Sequence, residues 1–165
     1  MGLAKRRGLW VTVLVLLTAV VLTVLALDLV LRNRYHVVND RVEAALNRFA
    51  SKVALTVDPD GTPRVAGPSD PVRAVFVLTT SELGLGEGRM RTWILTTTPQ
   101  DPKTGLDQWE LMVNVTQSRQ ALIWTTEVDL VDVKAEAWRL VFLQPLLERE
   151  LIDQGLTYRI SEIIH

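Results

Sequence analysis

The sequence predicts an α+β protein. A single N-terminal transmembrane helix continues into a juxtamembrane helix, followed by a mainly antiparallel sheet of about five to six strands with one C-terminal helix packed on it. Three observations carry this prediction. Residues 8–27, GLWVTVLVLLTAVVLTVLAL, hold no charge, proline or amide. Residues 28–52 lack glycine and proline and place apolar side chains at steps of three and four. From residue 72 to 126, four runs rich in β-branched and aromatic residues alternate with breaks. The expected organisation is a short basic tail over 1–7, a membrane helix over 8–27, an amphipathic helix over 28–52 and one domain over 53–165.

A helix rises about 1.5 Å per residue, so the apolar run is about 30 Å long, the thickness of a bilayer's hydrocarbon core. Lys5, Arg6 and Arg7 favour the cytoplasmic side for the tail, which puts the domain outside the cytoplasm. Arg32, Arg34 and Arg41 on the far flank weaken that asymmetry. A cleaved signal peptide has a shorter apolar region of about 7–15 residues and a small-residue cleavage site. Here the run is longer, and no clear small-x-small pattern precedes Asp28. An uncleaved signal-anchor is therefore expected, with a secreted domain as the alternative. Myristoylation is rejected because Arg6 stands where that motif requires Ser or Thr.

Beyond the run the chain has fifteen basic and nineteen acidic residues, a balance that argues against nucleic acid as a partner. The absence of cysteine excludes disulfides, thiolate metal sites, a cysteine nucleophile and a lipoprotein cysteine anchor.

In the juxtamembrane helix, Tyr35, Val38, Val42, Ala45 and Phe49 form an apolar seam. Two arrangements would cover it. The helix can pack on its own sheet, or two tethered chains can pair in parallel as a weak homodimer. The seam spans about two heptads, short of the three to four that make a coiled coil convincing, so packing on the sheet is favoured.

Residues 53–57 alternate as a strand and lead into Asp58-Pro59-Asp60-Gly61, a turn in which Pro pre-sets φ, Asp bonds the backbone and Gly takes φ > 0. Residues 67–71 read as a loop. Strands are expected over 72–80, 89–98, 109–117 and 120–126, joined by short connections as an antiparallel meander. Trp109, Leu111, Val113 and Val115 should face the core, and Glu110, Met112, Asn114 and Thr116 the wetter side. Residues 132–154 read as a helix with Asp132 as N-cap, an apolar stripe through Ala135, Trp138 and Phe142, a break or kink at Pro145, and Gly155 just past its end. An alternative starts that helix at Glu127. Residues 156–164 return as a strand.

Chemistry-bearing motifs are sparse. The only histidines are His36 and His165, and neither is placed for a nucleophilic triad. HExxH, Walker and GxSxG patterns do not occur. Gly84, Gly86 and Gly88 suit a hairpin tip better than a phosphate cradle. Glu127, Asp129, Asp132 and Glu136 read as a solvated acidic helix start, with a hard-cation site as the lesser alternative. Asn114-Val115-Thr116 matches a glycosylation sequon but falls inside an expected strand. Of the five tryptophans, most are expected in the core, with one or two free to act as binding anchors.

Over residues 1–66, the order of basic tail, membrane helix, juxtamembrane helix and strand with a DPDG turn resembles the start of a sensor-kinase input region. The resemblance carries over no residue role. No catalytic, cofactor-binding or metal-ligating residue is assigned. The expected function is a non-enzymatic, single-pass protein that presents a small extracytoplasmic domain to a membrane or envelope protein. An extracytoplasmic ligand-binding sensor is the alternative, and a hydrolase without a recognisable motif ranks third because general acid–base groups are sparse.

Overall fold

The computed structural model describes residues 3–100, 106, 109–120, 123–132 and 140–162. It contains one long helix, a curled seven-stranded mixed sheet and a short C-terminal helix. The sheet has one or two strands more than expected.

Helix α1 runs without a break from Leu3 to Lys52, fifty residues, or about 75 Å. Its first half is long and apolar enough to cross a membrane, and none of the apolar window is buried by the protein. Thr18 and Thr23 donate their hydroxyls to the carbonyls of Leu14 and Ala19, one turn back. These polar groups are thus satisfied inside the helix, as a hydrocarbon environment requires.

The second half of α1 lies on the sheet. Tyr35, Val42, Ala45, Leu46 and Phe49 are buried in the core, and Val38 packs half-buried against it. Phe49 meets Phe76 edge-on at 5.0 Å between ring centroids, and Phe76 meets Trp109 in the same manner at 5.9 Å. The helix is held because the apolar stripe created by its 3.6-residue period meets the inward face created by the two-residue period of the strands.

Strands β1 (Leu55–Val57) and β2 (Pro63–Val65) form a small hairpin around the DPDG turn. Gly61 N–H donates to the Asp58 carbonyl, and Thr62 N–H donates to the Asp60 carboxylate. Residues 63–65 carry no strong strand signal alone; pairing with β1 makes them a strand. Next comes β3 (Ala74–Leu85), antiparallel beside β1, then β4 (Gly88–Pro99), β5 (Glu110–Gln120) and β6 (Ile123–Asp132), each antiparallel to the strand before it. The β3–β4 hairpin is longer than expected. Residues 81–85 remain paired, and only Gly86 and Glu87 make the turn. Trp109, Leu111, Val113 and Val115 are buried as expected, with Glu110, Met112, Asn114 and Thr116 half-buried on the other face.

The largest departure concerns residues 127–132. They belong to β6, so Asp132 ends a strand and is not a helix N-cap, and a helix starting at Glu127 is excluded. Val128 and Val131 fit a helical step of three. Pairing with β5 settles the conflict, because it buries Val128 and Leu130. Residues 133–139, including Ala135, Glu136 and Trp138, lie outside the described set, as do 101–105, 107–108, 121–122 and 163–165.

Helix α2 spans Leu143–Asp153 and buries Leu143, Leu147 and Leu151. Pro145 falls in its first turn, where the missing N–H has no intrahelical partner to lose, so it begins the helix and does not kink it. Gly155, at φ 68°, ends it: Gly155 N–H bonds the Ile152 carbonyl and Leu156 N–H the Leu151 carbonyl. Those two bonds are a Schellman cap, completed by the buried side chains of Leu151 and Leu156. Strand β7 (Arg159–Glu162) then pairs parallel with β6. A parallel neighbour needs a crossover, and α2 lies within it.

Candidate functional site

The direction of the strands sets which groups gather at which end of the domain. Phe49 contacts Phe76 and Trp109, far from the apolar run. The Gly86–Glu87 turn of the β3–β4 hairpin, the last residues of β5 and the first of β6 lie at the opposite end, beside the residues of α1 that directly follow the run. Three contacts show this. Trp124 Nε1 donates to Asp28 Oδ1 at 2.9 Å. Gln117 Nε2 donates to the carbonyls of Leu31 and Arg32 at 3.2 and 3.3 Å. The guanidinium of Arg32 lies 5.3 Å from the centre of the Trp124 ring.

Gln117 pins this end together. It is 2% exposed. While its Nε2 holds the α1 backbone, its Oε1 accepts from Arg89 Nε at 3.1 Å. Gly88 is fitted to the same place: a Cβ there would stand 2.4 Å from the Gln117 carbonyl oxygen, so no larger residue allows β4 and β5 this approach. Arg89 also stacks on the Tyr35 ring at 4.1 Å.

These residues wall an open groove of about 510 Å3 lined by Arg32, Arg89, Arg119, Gln117, Glu87 and Trp124. The charge is unbalanced. Arg32 has Asp28 at 3.0 Å, and among the described residues Arg119 has only the exposed Glu87 at 3.9 Å. Arg89 meets no carboxylate among the described residues. Arginines with free fork positions at one rim suit an oxyanion, since guanidinium geometry matches carboxylate and phosphate. A second groove of about 600 Å3 shares Arg32 and Arg89 and is floored by Leu29 and Val30, with Asn33 and His36 at its side. Leu29 and Val30 are both exposed and continue the apolar surface of the preceding run.

The seam residues lie elsewhere. Tyr35, Val38, Val42, Ala45 and Phe49 come together on the domain's own sheet. That face is therefore occupied within one chain, and a parallel pair could use it only by opening the core. Glu127 and Asp129, expected on a helix, sit on β6 and bind Arg159 of β7. Gly84, Gly86 and Gly88 belong to the β3–β4 hairpin. Asn114 accepts a hydrogen bond from Thr92 across β4 and β5. Trp93 and Trp109 are core, Trp10 is exposed on the apolar run, and Trp124 is half-buried at the groove.

The sequence reading missed Gln117, Arg89 and Arg119 as a group. A signal existed: each flanks a hairpin tip. The missing information was which end of α1 those tips face, and only the packed helix supplies it. No protein-family model, curated protein or solved structure matches the chain.

Proposed function

We propose that the chain is a single-pass membrane protein with a cytoplasmic N-terminal tail and an extracytoplasmic α+β domain, and that it acts by binding, not by catalysis. The observation that carries this proposal is the continuity of α1. The same unbroken helix supplies the uncovered apolar run and the stripe that completes the domain core. No flexible linker separates the two, so the domain is held at a fixed height and orientation beside the bilayer. Such a module suits assembly with a membrane or envelope protein, because a partner in the same bilayer meets a surface already oriented for it. The alternative, a sensor of a small ligand, draws specific support from the arginine-lined groove.

The test has two parts. Full-length protein is expected to stay with membranes through a high-salt and alkaline wash. Recovery of a soluble form beginning near Leu27 would identify the run as a signal peptide and sink the anchor. Orientation is read from Ser69→Cys, an exposed position in a chain with no other cysteine. Labelling by an impermeant maleimide in intact cells is expected, and protection until lysis would reverse the topology.

A further inference from the structure

We infer that the paired grooves beside α1 bind an anionic phospholipid of the bilayer that anchors the chain, with the phosphate between Arg32 and Arg89 and an acyl chain against Leu29 and Val30. The inference rests on the anchor proposed above.

The position fits a lipid. Asp28 directly follows the apolar run, and Trp124 is bonded to it. Ile123, one residue closer to the hairpin tip, is therefore lower by about 3 Å, at the level where the apolar run ends. Ile123 is 57% exposed, and Leu29 and Val30 are 69% and 64% exposed. In water, exposed apolar groups in one band beside a membrane span would be a liability; at a bilayer surface they meet acyl chains. Trp124 adds an indole at the same level, where such rings prefer to lie.

The chemistry fits too. One groove is polar and holds three arginines; its neighbour is floored by aliphatic side chains; Arg32 and Arg89 belong to both. An anionic head joined to an aliphatic tail matches this sequence of surfaces, whereas a free anion would leave the aliphatic floor unused. Arg89 is prepared for the role. Gln117 holds its Nε and Tyr35 supports its plane, so its orientation is set before a ligand arrives. Basic pockets at the end of a membrane helix bind anionic headgroups by this combination of charge and geometry.

The experiment uses the full chain in neutral detergent micelles, titrated with short-chain phosphatidylglycerol, short-chain phosphatidylcholine or glycerol phosphate, and read by native mass spectrometry. Phosphatidylglycerol is expected to bind about tenfold more tightly than phosphatidylcholine, and Arg89→Gln to remove about that factor, the size expected for one charge-assisted contact. Arg119→Gln, on an exposed strand end, gives a second reading if Arg89→Gln fails to fold. Glycerol phosphate is expected to bind far more weakly than the lipid; equal binding would identify a free phosphate site and overturn the lipid assignment. Equal affinity for the two lipids would overturn it as well. Arg34→Gln, exposed but outside both grooves, is expected to leave binding unchanged. A loss there equal to that of Arg89→Gln would reduce the effect to general surface charge. The titration is independent of anchoring: release in the alkaline wash would sink the anchor, while only the titration decides the groove.

Discussion

Single residues in this domain are not all well matched to their surroundings. Asn39 is 2% exposed, and among the described residues neither its amide oxygen nor its nitrogen has a hydrogen-bond partner. An unsatisfied buried polar group costs about 1–3 kcal/mol. Leucine has a similar size and a better helix propensity. Asn39→Leu is therefore expected to stabilise the fold by about 1–2 kcal/mol, measured as a higher urea midpoint at unchanged slope. A lower midpoint would show that the amide is paired in solution. Arg64 presents the opposite case. It bridges Asp58 at 2.7 Å and Asp70 at 2.5 Å and ties the β1–β2 hairpin to the loop that follows. The hydrogen bond from Arg64, then that from the Gly67 N–H, hold the Asp70 carboxyl down at about 2. A depressed folded-state value means that the contribution is complete above the ordinary carboxylate value of about 3.9 and is lost as pH falls through about 2. Thermal stability should thus drop between about pH 4 and pH 2. Asp70→Asn should flatten that drop; an unchanged profile would show that the bridge contributes nothing in solution.

Among the elements, the juxtamembrane helix carries the clearest test. Because Val42 is fully buried against its own sheet, Val42→Cys is expected to give no disulfide-linked dimer in oxidised membranes. Efficient cross-linking between chains would mean that α1 leaves the sheet to pair. The elements also differ in how far local sequence determines them. In α1 and β5, the periods of 3.6 and two are each clean, so their apolar buried faces were largely legible, while the buried polar Asn39 and Gln117 were not. In β6, Val128 and Val131 satisfy a helical spacing while Val128 and Leu130 satisfy a strand spacing. Only pairing with β5, a non-local contact, decides between them. The segment Pro63–Val65 is strand for the same reason. The groove was the least legible feature, since its residues come from α1, β4, β5 and β6 and are neighbours only after the helix has docked.

At the scale of the whole molecule, one continuous helix joins two environments. Seated in a bilayer as proposed, α1 is a lever. A bilayer whose thickness differs from the length of the apolar run is accommodated by tilting the helix. Residues 28–52 project about 37 Å beyond the run, so a tilt of about 10° moves the far end of the domain sideways by about 6 Å. Because the sheet grips that segment from Tyr35 to Phe49, the whole domain moves with it. Membrane thickness, a property sensed within the hydrocarbon, is thereby converted into the position of a surface well outside it, with no hinge to absorb the motion.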